Sequence, residues 1–66
     1  MRVKCINNGG YKVSLTVGKC YNVKAIEQIC GDDMYALMDD DQDYFYLYPP
    51  SWFEILEGDV NKLPRR

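Results

Sequence analysis

The chain is expected to fold as an all-β domain, a small barrel of five short strands with one 3-10 turn before the last. Three observations carry that expectation. Its 66 residues allow one domain and one core. Its apolar residues come in short runs rich in Val, Ile, Tyr and Phe, which suit a pleated, half-buried surface. Turn-forming residues separate those runs: Asn7-Asn8-Gly9-Gly10, Gly18, Cys30-Gly31-Asp32-Asp33, Asp39-Asp40-Asp41-Gln42 and Pro49-Pro50.

The first strand is read at the N-terminus, where Met1, Val3 and Cys5 alternate with Arg2, Lys4 and Ile6. Tyr11 to Leu15 form an irregular loop with one exposed ring. Lys19 to Ile29 is the longest β-like run. Its two faces, Cys20-Asn22-Lys24-Ile26-Gln28 and Tyr21-Val23-Ala25-Glu27-Ile29, are both mixed. A strand that exchanges faces at a bulge while bending round a barrel accounts for this. Met34 to Met38 is the third strand, and a tight polar connection makes the next strand its hairpin partner.

Asp43 to Leu56 organises the remainder. Five of the nine aromatic rings lie in its first ten residues: Tyr44, Phe45, Tyr46, Tyr48 and Trp52. Tyr44 to Tyr48 reads as the fourth strand. Pro49 and Pro50 end it, since neither can donate a ladder hydrogen bond. Ser51 to Phe53 suit one helical turn, and Glu54 to Leu56 resume an extended segment. Val3, Leu15, Val17, Val23, Ile26, Ala36, Leu47, Phe53 and Ile55 are the expected core. Residues 1–56 form the barrel; residues 57–66 lose the apolar pattern and read as a partly ordered tail.

Two stretches resemble the SH3-like barrel. Ser14-Leu15-Thr16-Val17-Gly18-Lys19-Cys20-Tyr21-Asn22-Val23 resembles the passage from the long first loop into the second strand. Tyr48-Pro49-Pro50-Ser51-Trp52-Phe53 resembles the ending, where a proline precedes a helical turn bearing an aromatic and then a core residue. On that alignment Trp52 replaces the peptide-groove tyrosine and Phe53 the buried aliphatic. The likeness is closer to small SH3-like proteins of phages and prophages of Gram-positive bacteria, the YorP-like type. The residues that carry it are Cys5-Ile6-Asn7-Asn8, Ser14 to Lys19, Tyr21 to Val23, and Tyr48 to Glu54. That resemblance implies a fold and a phage origin, with no settled activity. The chain departs from peptide-binding SH3 domains at two points: Met34 stands where their groove tryptophan would, and the ALYDY-like run is missing.

Composition narrows the function classes. With no histidine, no nucleophile motif and no phosphate-binding loop, the chain is expected not to be an enzyme and to need no cofactor. Cys5, Cys20 and Cys30 form no CxxC pair and are expected to be reduced thiols. Asp39, Asp41 and Asp43 have the opening spacing of an EF-hand, but Tyr44 and Pro50 occupy its required glycine and glutamate positions, so no metal is expected. No apolar run approaches the ~18 residues of a membrane span, and a cytoplasmic protein of a bacterial host is expected.

Charge is strongly divided within a net −2. Residues 1–24 carry five bases and no acid, residues 27–59 ten acids and no base, and the tail three bases. The acidic middle favours a basic protein partner over nucleic acid. Two surfaces are candidates. The acidic one comprises Asp32, Asp33, Asp39, Asp40, Asp41 and Asp43, brought together if the barrel edge curves. Neutralising it is expected to leave the fold intact or slightly more stable. The aromatic one comprises Tyr11, Tyr46 and Trp52. The functional expectation is a non-catalytic module, monomeric or homodimeric, that binds and modulates a host or phage protein in host takeover or defence evasion. The alternatives are a nucleic-acid-binding barrel, using Arg2, Lys4, Lys12, Lys19 and Lys24, and a virion structural or assembly component.

Overall fold

The computed structural model describes residues 1–42 and 44–65. Five antiparallel strands run β1 (Arg2–Cys5), β2 (Cys20–Ile29), β3 (Asp32–Met38), β4 (Phe45–Tyr48) and β5 (Phe53–Glu57), with a 3-10 turn at Pro50–Trp52. Their order is β4-β3-β2-β1-β5. The long β2 belongs to both halves. Its start pairs with β1, Val3 opposite Tyr21, and its end with β3, Ile26 opposite Tyr35. This is the five-stranded SH3-like barrel expected.

The mixed pattern of β2 has the physical cause anticipated. Its register with β3 shifts between Val23 and Ala25. Tyr21 and Val23 face inward before that irregularity, and Ala25 and Ile26 are both buried directly after it. One strand therefore lines the core on both sides of its own bend.

The core gathers Val3, Cys5, Leu15, Tyr21, Val23, Ile26, Tyr35, Leu37, Tyr48 and Phe53. Phe53 is its hub. Its ring lies 5.9 Å from the Tyr35 centroid and 6.4 Å from both Tyr21 and Tyr48, the last two edge-on. Edge-to-face pairs add stabilisation beyond the area they bury. Two expected core residues are corrected: Val17 is 55% and Ile55 47% exposed. Val17 sits in the turn entering β2, and Ile55 is the middle residue of β5, an edge strand with no neighbour beyond β1 among the described residues. Leu47 is half-buried.

The segment after β5 returns to the barrel. The Asp59 carboxylate accepts from the Asn61 backbone N–H and starts a second 3-10 turn, Val60–Lys62. Val60 and Leu63 pack against the core. The Ile26 N–H donates to the Pro64 carbonyl, and Arg65 forms a parallel bridge to Ile26. This segment thus covers the outer edge of β2 beyond the last residue paired with β1.

Burial raises the pKa of three core tyrosines. Desolvation is the leading cause for Tyr21, Tyr35 and Tyr48, and hydrogen bonds to Asp40 and Asp39 add to it for Tyr21 and Tyr48. Unfolded tyrosine ionises near pH 10 while the folded chain resists, so this stability is complete below about pH 10 and falls as pH rises above it. The melting temperature is expected to decline from pH 9.5 to 11.5; a flat profile would contradict the buried placement.

Candidate functional site

The structure separates the acidic residues. Asp32 and Asp33 begin β3, whereas Asp39 to Asp41 follow its far end. A seven-residue strand divides the two clusters, roughly 20 Å at the usual rise per residue. They do not form one patch. Asp43 lies outside the described residues.

Each described aspartate of the second cluster has a local partner. Asp39 is only 3% exposed. One carboxylate oxygen accepts from the Tyr48 hydroxyl at 2.5 Å, the other from the Asp41 backbone N–H at 3.0 Å. Asp40 accepts from Thr16 Oγ1 at 2.7 Å, Lys19 Nζ at 2.5 Å and the Tyr21 hydroxyl at 3.0 Å. Desolvation pushes its pKa up, but these hydrogen bonds outweigh it and hold the carboxyl below its ordinary value. Asp41 accepts from Ser14 Oγ at 3.0 Å, and the Asp40 N–H donates to the Ser14 carbonyl. Together these bonds fasten the β3–β4 connection to the loop between β1 and β2. At the other end, Asp33 accepts from Arg65 at 3.1 Å and Gln28 at 3.2 Å, which lowers its pKa.

The expected effect of neutralisation is therefore revised. Replacing Asp39, Asp40 and Asp41 together by asparagine is expected to lower the melting temperature, because charge-assisted bonds at a half-buried junction are exchanged for weaker ones. An unchanged or higher melting temperature in circular dichroism would restore the simple repulsion account.

The aromatic residues, by contrast, meet. Tyr11 and Tyr46 both line a groove of about 530 Å³, with Trp52 and Tyr48. The Trp52 ring stacks obliquely between Tyr11 and Tyr48, each centroid 6.0 Å away. Asp41, Asp39 and Ser14 make the polar end of the same groove. The sequence reading missed Asp39 as a structural member here. Its signal was only that it directly follows the apolar strand Met34 to Met38.

Gly9 sets the position of Trp52. Its φ of +57° is left-handed, and a Cβ there would collide with the outer indole carbons. Gly9→Ala is expected to cost ~1–2 kcal/mol for the backbone alone, seen as a melting temperature lower by several degrees. It should also displace Trp52, read as altered tryptophan fluorescence. A variant with unchanged fluorescence and stability would contradict this packing.

A second concavity, about 520 Å³, lies between Lys19, Lys24, Met38, Asp40 and Phe45. The Lys24 ammonium sits 4.8 Å from the Phe45 ring centroid, and Lys19 is paired with Asp40. On β1, Arg2 is registered against Glu57 and Lys4 against Glu54. Of the five bases proposed for a phosphate backbone, Arg2 and Lys4 thus lie opposite acids and Lys19 is paired with one. Among the described residues, no cluster of three or more His, Cys, Asp or Glu side chains is placed to hold a metal, and no helix is long and apolar enough to cross a membrane. Cys5 is buried, Cys20 half-buried and Cys30 exposed, all as free thiols.

The strand order and the groove beside the 3-10 turn define the molecule as a five-stranded SH3-like barrel with an aromatic cleft. No protein-family model, curated protein or solved structure matches the chain.

Proposed function

We propose that this chain is a non-catalytic protein-binding module, encoded by a phage or prophage, that docks on a host protein through its aromatic groove and alters that protein's activity. The observation that carries the reading is the meeting of Tyr11, Tyr46 and Trp52 around one groove with Asp41 at its end. Rigid aromatic rings give large contact area at low entropic cost and are the side chains most often found at the energetic centres of interfaces. The phage origin rests on the sequence resemblance to YorP-like proteins alone. Asp39, Asp40 and Asp33 act in this reading mainly as internal ties, and Asp41 is the acid at the groove placed to meet a basic partner.

The test is affinity capture from a Gram-positive host lysate, with the wild-type chain and with Tyr11→Ala plus Tyr46→Ala as paired baits. Both rings are exposed, so the double variant should stay folded. A host protein retained by the wild type and lost by the variant is the expected result. Identical retention by both baits would move the binding surface elsewhere.

A further inference from the structure

We propose that the groove takes an extended segment of the partner, which adds to the free edge of β4 as a further strand and places a lysine or arginine against Asp41. The proposal rests on the protein-binding reading and specifies its mode.

The first argument is the edge. β4 is the last strand of the sheet and pairs only with β3. That pairing is regular at every residue, from Tyr35 opposite Tyr48 to Met38 opposite Phe45. Among the described residues, no backbone hydrogen bond outside this ladder reaches Phe45 to Tyr48. In an antiparallel strand alternate residues turn their N–H and C=O groups outward. Half of the β4 backbone is therefore an open template.

The second argument is the lack of side-chain or bulge protection. Edge strands are usually blunted by shortness, charge, proline or a bulge, and β4, at four residues, has the first of these. The β4 sequence, Phe45-Tyr46-Leu47-Tyr48, has no charge, proline or bulge within it. The opposite edge strand β5 carries Glu54 and Glu57, and its pairing with β1 is irregular near Arg2.

The third argument is the space. The groove is lined by Tyr46, Leu47 and Tyr48 of the β4 edge strand together with Tyr11 and Ser14 of the first loop. A strand laid on the β4 edge fills that channel, and its alternate side chains meet the aromatic rings.

The fourth argument is charge. Asp41 is exposed at the groove, and among the described residues its carboxylate accepts only a neutral hydroxyl, from Ser14. The ion pairs among the described residues use Asp33 and Asp40. A basic side chain reaching Asp41 runs its aliphatic stem along the rings beside it.

A polyproline segment cannot bind this way, since it lacks the N–H groups an edge requires. That difference supplies the test. Decapeptides are selected from a random display library on the immobilised wild-type chain. The best binder is then remade with a single backbone N-methyl group at each position in turn. The expected result is alternation: methylation at every second residue lowers affinity at least tenfold, and the residues between tolerate it. Selected sequences should carry a basic residue whose contribution disappears in Asp41→Asn. A binder that tolerates every N-methyl group, or a selection dominated by proline repeats, while still requiring Tyr46, overturns strand addition and leaves the groove as a binding site. Binding that survives Tyr11→Ala plus Tyr46→Ala, or a selection that enriches nothing, overturns both readings.

Discussion

Phe53→Ala is expected to unfold most of the population at 37 °C. Removing a buried phenylalanine costs ~3–5 kcal/mol, and a single core of this size supplies about as much in total. The effect should be at the high end because three tyrosine rings converge on the side chain. Those rings cannot collapse into the vacancy freely. The Tyr21 hydroxyl is held by Asp40 and that of Tyr48 by Asp39. Phe53 also opens β5 opposite Cys5, so its loss loosens the pairing of β1 with β5. Urea denaturation followed by circular dichroism measures the cost. A midpoint close to that of the parent would show that Phe53 is not the hub.

Tyr48→Phe is expected to have the second-largest effect. It deletes one oxygen and leaves the ring in place, yet it strips a buried carboxylate of its hydroxyl donor. Hydrogen bonds to charged groups contribute ~1.5–3 kcal/mol. Asp39 cannot turn to water without breaking its bond to the Asp41 backbone, and with it the turn that closes β3 onto β4. Combining Tyr48→Phe with Asp39→Ala should cost less than the sum of the two single changes, because each already removes the shared bond. Strict additivity in that cycle would mean the two groups do not interact.

The strands were legible because their signals are local. Aromatic and β-branched runs bounded by Pro49-Pro50 or by glycine locate β2, β3, β4 and β5 within two residues at either end. The bend in β2 was legible too, as a failure of alternation. Exposure of Val17 and Ile55 was not, because which end of a barrel remains uncovered depends on partners distant in sequence. The return of the tail was equally hidden: two apolar residues, Val60 and Leu63, and a backbone bond from Ile26 make no periodic pattern.

For the site, the aromatic set was readable as a set, since the proline-bounded turn fixes Trp52 near the end of β4. The aspartates misled for a physical reason. A run of carboxylates in a turn has the same sequence whether it faces solvent or receives hydroxyl and ammonium donors from a loop 21–27 residues earlier.

The buried Cys5 makes the molecule its own stopwatch. Desolvation raises the pKa of this thiol, and the ring of Phe53 is registered opposite it across the β1–β5 seam. That seam joins the segments most distant along the chain, so it closes at the largest loop entropy of any strand pair. Exposed Cys30, in the turn between β2 and β3, reacts regardless of that seam. The rate of alkylation at Cys5, set against Cys30 in the same molecule, then reports how large a share of the time the two terminal strands stand apart.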